Sequence, residues 1–178
     1  HLMIEAERRA YADRAEHLGD SDFYDVPLGM LVDKEYAQNR FSDFDINKAS
    51  SSEAIFAGAA PAQESMETTH FSVIDKSGTA VSFTTTLNSS YGNKMVVPGT
   101  GILLNNEMDD FSAKPGVPNI FGVVGNTANE VQPGKRMLSS MSPTLLIKDN
   151  EPHMVIGTPG GSTIFTSVFQ IISNIIDF

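Results

Sequence analysis

"TTHFSVIDKSGTAVSFTTT", residues 68–86, decides how this chain folds. Two runs rich in β-branched and aromatic residues, THFSVID and TAVSFTTTL, flank Lys76-Ser77-Gly78. Such runs on either side of a three-residue connection containing glycine read as a β-hairpin. Gly78 suits the positive-φ position that ends a loop of this length. With Asp75 and Thr79 flanking the loop, Thr68 falls opposite Thr86, and both side chains lie on one face. A slip of one residue would send Thr86 to the other face. Phe71, Val73 and Ile74 in the first run, and Ala80, Val81 and Phe83 in the second, put apolar residues at both parities. That pattern predicts strands covered on both faces.

Beyond this hairpin, residues 88–142 are rich in Gly, Pro and Asn turns, and a loop region this long is often functional. A second hairpin follows, SPTLLIKD and PHMVIGTP, with the turn expected at Asp149-Asn150-Glu151. Next, Ser162 is placed to cap a helix whose apolar stripe takes in Ile164, Phe165, Val168, Ile171, Ile172, Ile175 and Ile176. So wide a stripe predicts a helix buried between layers. Ahead of the first hairpin, residues 1–17 read as a helix with Leu2, Met3, Ala6 and Ala10 on its apolar side, ending near Gly19 and Asp20. A second helix is expected near 33–41, capped by Asp33, with Glu35 in its first turn. Residues 45–67, rich in Ala and Ser, read as a flexible linker. The fold class is α+β. The opening helix has no cap ahead of it and the last has no stop signal, so the chain reads as part of a longer one.

At 178 residues with 40% apolar content, the chain can bury a core. The formal net charge is −10, and residues 1–67 carry most of it, with 14 acids against 6 bases. No basic stripe is present, which argues against nucleic acid and anionic membrane surfaces as partners. Without cysteine there is no disulfide, thiol catalysis or thiolate metal site. No apolar run is long enough to span a bilayer. A zinc-binding His-Glu-x-x-His helix, a phosphate-binding loop and a Gly-x-Ser-x-Gly elbow are all missing. His1, His17, His70 and His153 are scattered, so no metal and no cofactor is expected.

Threonine chemistry remains. A threonine hydroxyl is a weak nucleophile without a base, and one base available to it is its own α-amino group, provided it begins a chain. Thr68 is internal, so that chemistry would need a cut between Glu67 and Thr68. On these residues alone, Thr68 is either a strand residue or a latent nucleophile.

Four separated stretches weigh on the choice: TTHFSVIDKSGTAVSFTTTLNSSYG, GILLNNEMDDFSAKPGVPN, LSSMSPTLL and TPGGSTIF. In co-linear order they resemble the small-subunit region of γ-glutamyltranspeptidases, and EAERRAYADRAEHLGDSDF resembles the end of that family's large subunit. The resemblance implies part of an αββα four-layer sandwich, the N-terminal-nucleophile hydrolase fold. It divides the chain into a large-subunit end, 1–67, and a small-subunit region, 68–178, truncated at its C-terminus. It implies self-cleavage at Glu67–Thr68, after which Thr68 attacks a γ-glutamyl amide and Thr86 hydrogen-bonds the nucleophile. Asn88, Glu107 and Asp110 match positions that hold the substrate's α-amino group and its surroundings. Ser139 and Ser140 match serines that bind the α-carboxylate, and Gly160 and Gly161 match an oxyanion-hole pair. Thr69 and His70 match no chemistry and read as structural.

The partners implied are a small γ-glutamyl compound, water or an amino-acid acceptor, and the remainder of the large subunit, which in the family supplies an arginine to the substrate. The location implied is periplasmic or extracellular. A related acylase, a poly-γ-glutamate-processing enzyme and a catalytically incompetent fragment stand as alternatives.

Overall fold

The computed structural model describes residues 1–52, 54–55 and 67–178. The chain is α+β, with helices α1 (Leu2–His17), α2 (Leu28–Leu31), α3 (Lys34–Arg40) and α4 (Ile164–Asp177). Its strands are β1 (Thr68–Ile74), β2 (Ala80–Thr86), β3 (Thr144–Lys148) and β4 (Glu151–Ile156). Packing divides it into two compact units, His1–Ala62 with Met108–Leu138, and Gln63–Glu107 with Ser139–Phe178. That partition is one of packing and does not coincide with the expected division at Glu67–Thr68.

In the second unit, β1 and β2 pair antiparallel from Thr68 opposite Thr86 to Ile74 opposite Ala80, the expected register throughout. The turn enforces it. Asp75 Oδ1 accepts hydrogen bonds from Ser77 N at 2.8 Å, Ser77 Oγ at 2.6 Å and Thr79 N at 2.9 Å. The Ser77 hydroxyl first, and then the Thr79 amide, lower the Asp75 pKa. Gly78, at φ 87°, supplies the left-handed residue.

The two faces of this hairpin differ. On one, Phe71 stacks on Phe83 with ring centroids 5.0 Å apart. That face, with Val73 and Val81, is exposed, so the expected cover on both sides is not met. The pattern marks an apolar face correctly, but no described residue buries it. The other face is polar except where Ile74 pairs with Ala80. The His70 ring bridges Thr84 Oγ1 (2.8 Å) and Ser72 Oγ (2.9 Å). Ser82 Oγ donates to Ile156 O at 2.9 Å and accepts from Thr144 N at 3.1 Å, which ties the two hairpins together.

The turn between β3 and β4 is one residue shorter than expected. Asp149 and Asn150 both take positive φ, 54° and 63°, the pattern of a two-residue type I′ turn. Glu151 already belongs to β4, opposite Lys148. The register shifts between Leu146 and Ile147, leaving His153 without an opposite residue.

Ser162 is not the boundary residue of α4. The chain enters that helix through a 3-10 turn, Gly161–Thr163, and the boundary residue is Thr163, whose hydroxyl donates to Gly160 O at 2.8 Å. Along α4, Ile164, Thr166 and Val168 are buried, whereas Phe169, Ile171, Ile175 and Ile176 are exposed. The expectation of a helix buried between layers is therefore met only in its N-terminal half, through Val168, and among the described residues nothing buries the stripe beyond it.

The first unit corrects the reading of α1. Its buried residues are Glu5 and Arg9, only 1% and 4% exposed, while Leu2 and Ile4 are exposed. Buried charges must be paired. Arg9 donates to Glu5 Oε2 (2.7 Å) and Asp43 Oδ1 (2.6 Å), and Arg8 donates to Glu5 Oε1 (2.7 Å). Ser50 N also donates to Glu5 Oε1, at 3.3 Å. These partners, Arg9 foremost, hold the Glu5 pKa at about 2. The expected apolar side instead lines a cleft of ≈ 660 Å³, where Leu2, Ala6 and Ala10 face Leu28, Leu31 and Phe41.

Asp33 caps α3 as expected, accepting from Tyr36 N at 2.8 Å; α2 was not anticipated. Of the expected linker 45–67, residues 53 and 56–66 lie outside the described residues. Its described part is anchored through Ser50, and Ile55 is buried. Gly19 sits where a Cβ would come 2.0 Å from Ala128 O, so only glycine permits that approach. Beside it, buried Asp20 accepts from Arg136 N (2.9 Å), Nε (3.0 Å) and Nη2 (2.5 Å), and this grip, led by the side-chain bonds, depresses its pKa strongly.

Candidate active site

Thr68 opens β1 directly across from Thr86, the last residue of β2. The Thr86 hydroxyl accepts the Asn88 backbone N–H at 2.9 Å and reaches toward the Glu67 carbonyl oxygen at 3.4 Å. It therefore faces the carbonyl of the peptide bond that joins Glu67 to Thr68. The Glu67 side chain is held as well, since Ser90 Oγ donates to its Oε2.

The turn that follows β2 is anchored by Asn106. Its Oδ1 accepts from Ser89 N at 3.0 Å, its Nδ2 donates to Ser89 Oγ at 3.1 Å, and its backbone oxygen accepts from Asn88 Nδ2 at 3.2 Å. Asn88 is buried at φ 75°, a conformation asparagine tolerates better than most residues. Two residues past Ser90, a Cβ on Gly92 would lie 2.1 Å from Leu104 O, so glycine is what lets the two loop arms touch.

Glu107 opens a 3-10 turn, Glu107–Asp110, and burial raises its carboxyl pKa. Asp110 falls in the first compact unit, where its backbone oxygen accepts from Asn129 Nδ2 at 2.7 Å. Ser139 Oγ accepts from Met141 N (3.1 Å), and Ser140 O accepts from Ser142 Oγ (3.2 Å).

Gly160 and Gly161 take φ of 138° and 56° in succession immediately before α4. No side-chain-bearing residue adopts that pair without strain. Their amides lie at the positive end of a 14-residue helix. Three residues earlier, Gly157 lies so close to the His70 ring that a Cβ would be 2.3 Å from Cε1. The segment leading to the glycine pair thus packs against the face of β1 that carries Thr68 and His70.

Of the residues expected at the site, the fold brings Glu67, Thr68, Thr86 and Asn88 into one cluster. Glu107 follows directly on Asn106. Ser139, Ser140, Gly160 and Gly161 sit in the same unit on other segments. Asn106 and Ser90 lie in the stretches that carry the resemblance but were not anticipated as site residues. The structural reading of His70 agrees with its two hydroxyl partners.

A family model described as gamma-glutamyltranspeptidase matches residues 1–178, the whole chain. The chain belongs to the γ-glutamyltranspeptidase family. It is 54% identical over 177 residues to the glutathione hydrolase proenzyme of Escherichia coli (strain K12), covering 99% of this chain and 30% of that protein. It is 53% identical over 178 residues to the glutathione hydrolase proenzyme of Pseudomonas aeruginosa, covering 100% of this chain and 31% of that one. The chain thus spans about a third of the length of these γ-glutamyltranspeptidase relatives. Among solved structures it is similar to the γ-glutamyltranspeptidase of Pseudomonas nitroreducens complexed with L-DON. That match has a TM-score of 0.60 and 62% identity, over 62% of this chain and 57% of that one. Among the described residues no helix is long and apolar enough to cross a membrane.

Proposed function

We propose that the full-length protein carrying this chain cuts itself between Glu67 and Thr68 and then uses Thr68 as the nucleophile of γ-glutamyl transfer or hydrolysis. The observation that carries this reading is the Thr86 hydroxyl, across the strand pair from Thr68 and 3.4 Å from the Glu67 carbonyl oxygen.

In the first stage Thr68 Oγ attacks the Glu67 carbonyl carbon. The bond to Thr68 N breaks, the hydroxyl proton ends on that nitrogen, and an ester links Glu67 to Thr68. Water then hydrolyses the ester, giving a Glu67 carboxylate and a Thr68 with a free amine and a free hydroxyl. That amine, with a pKa of about 8, is the base the hydroxyl lacked. In the second stage the amine takes the hydroxyl proton as Oγ attacks the γ-carbonyl of glutathione or a related amide, and it returns a proton to the leaving amine. Water or an amino-acid amine then takes the acyl group from Thr68.

The remaining roles follow the family resemblance. Gly160 and Gly161 stabilise the oxyanion with their amides, a contribution of roughly 10²–10³ in rate for such a donor. Asn88, Glu107 and Asp110 hold the substrate ammonium and its neighbours. Ser139 and Ser140 hold its carboxylate, together with an arginine from the rest of the large subunit. The scheme calls on no metal or organic cofactor. The same reading makes this chain the end of a large subunit, 1–67, joined to a small-subunit region, 68–178, within an αββα sandwich, and places the enzyme in the periplasm or outside the cell.

Intact-mass measurement of the full-length protein tests the proposal. Two pieces divided at Glu67–Thr68 and glutathione turnover are expected. A folded protein that stays uncut and inert overturns it.

A further inference from the structure

We infer that Ser90 is a positioning residue for self-processing, acting through the Glu67 side chain and having no part in turnover by the mature enzyme. The inference rests on the self-cleavage proposed above. The peptide between Glu67 and Thr68 is fixed from both sides. On its C-terminal side, Thr68 is held by strand pairing with Thr86. On its N-terminal side, among the described residues, Glu67 has two hydrogen-bonding partners, the Thr86 hydroxyl at its carbonyl oxygen and the Ser90 hydroxyl at its carboxylate. The Thr86 contact is long at 3.4 Å and leaves the carbonyl free to swing. The Ser90 contact grips the same residue from its side chain, which limits that swing.

Ser90 stands on a firm support. Its neighbours Asn88 and Ser89 make three hydrogen bonds to Asn106, so the hydroxyl is presented by a braced turn. Glu67 and Ser90 are both exposed, so water competes for each of them and the effect is modest. Once the bond is cut, the Glu67 carboxylate is no longer attached to the nucleophile. The contact then has nothing left to position, so it separates processing from turnover.

The test follows the appearance of the two pieces over time in the full-length protein, by mass spectrometry. Ser90→Ala is expected to slow the cut about threefold to tenfold, Ser90→Thr to restore most of the rate, and Glu67→Ala to slow it to a similar degree. The double variant is expected to be no slower than the worse single one, because both remove the same contact. Matured Ser90→Ala protein is expected to hydrolyse glutathione with unchanged kcat and KM. Wild-type speed of cutting in Ser90→Ala overturns the inference. So do additive losses in the double variant, or a matching loss of mature turnover. A wild-type protein that never cuts overturns the proposed function instead, which keeps the two failures apart.

Discussion

Replacing Asn106 with alanine tests how the turn beside the scissile bond is braced. The substitution removes two side-chain hydrogen bonds, Ser89 N to Oδ1 at 3.0 Å and Nδ2 to Ser89 Oγ at 3.1 Å. It leaves the backbone oxygen that Asn88 Nδ2 uses. At about 0.5–1.5 kcal/mol each, the loss is about 1–3 kcal/mol of resistance to local opening. Since 1.4 kcal/mol is tenfold, the Ser89 amide is expected to exchange with solvent about 5- to 150-fold faster. Asn106→Asp keeps an oxygen for the Ser89 amide, and the Ser89 hydroxyl can turn to donate to it, so exchange is expected to stay within about threefold of wild type. Hydrogen exchange read by mass spectrometry on the full-length protein, over a peptide covering residues 87–92, gives the numbers. Processing should slow in the same order, alanine more than aspartate. Unchanged exchange in Asn106→Ala, or equal acceleration in both variants, would show that the turn is held by something other than this side chain.

Three further outcomes follow from the same geometry. Thr68→Ala should leave one uncut chain and no glutathione hydrolysis; pieces divided at residue 67 would remove Thr68 from the mechanism. Gly160→Ala places a Cβ 3.2 Å from Thr163 Oγ1 at φ 138°. It should cost about 1–3 kcal/mol in backbone strain and lower turnover by roughly 10²–10³, read as a drop in unfolding midpoint and in kcat; wild-type kcat would place the oxyanion elsewhere. Glu5 predicts acid sensitivity, because Arg9 holds its pKa at about 2 when folded against about 4.3 when unfolded. Its contribution is complete above about pH 4.3 and is lost as pH falls toward 2, so in urea titrations Glu5→Gln should start less stable at neutral pH and lose less across that window. Equal losses in both proteins would refute that linkage.

The first hairpin was legible because its information is local. Gly78 and the Asp75 side chain set the turn, the turn sets the register, and the register puts Thr86 opposite Thr68. The second turn was misplaced by one residue because Asp149 and Asn150 both adopt the left-handed conformation without a glycine to announce it. The extent of α1 was legible, but its apolar residues do not mark what it buries. The Glu5–Arg9 spacing, four apart on one face, was the signal for a buried ion pair. Apolar positions on β1, β2 and α4 were recognised, but a pattern says which face seeks cover and not which chain supplies it. Ser90 and Asn106 were not anticipated as site residues, since they act between loops 17 and 23 residues apart where side chains follow no period. The site residues themselves came from the resemblance of whole stretches, which spacing alone could not supply.

Ser82, whose hydroxyl ties the two hairpins, sets an order in time. Its bonds span 74 and 62 residues, whereas those that hold Glu67 span 19 and 23. Short loops close early and long ones late. During synthesis, at about 5–20 residues per second, the segment from Glu67 to Asn106 emerges several seconds before Gly161 does. The contacts that hold Glu67 can therefore form before the glycine pair ahead of α4 has been made. Under the function proposed above, processing starts from a local turn, and catalysis waits for the distant hairpin that the Ser82 hydroxyl clasps.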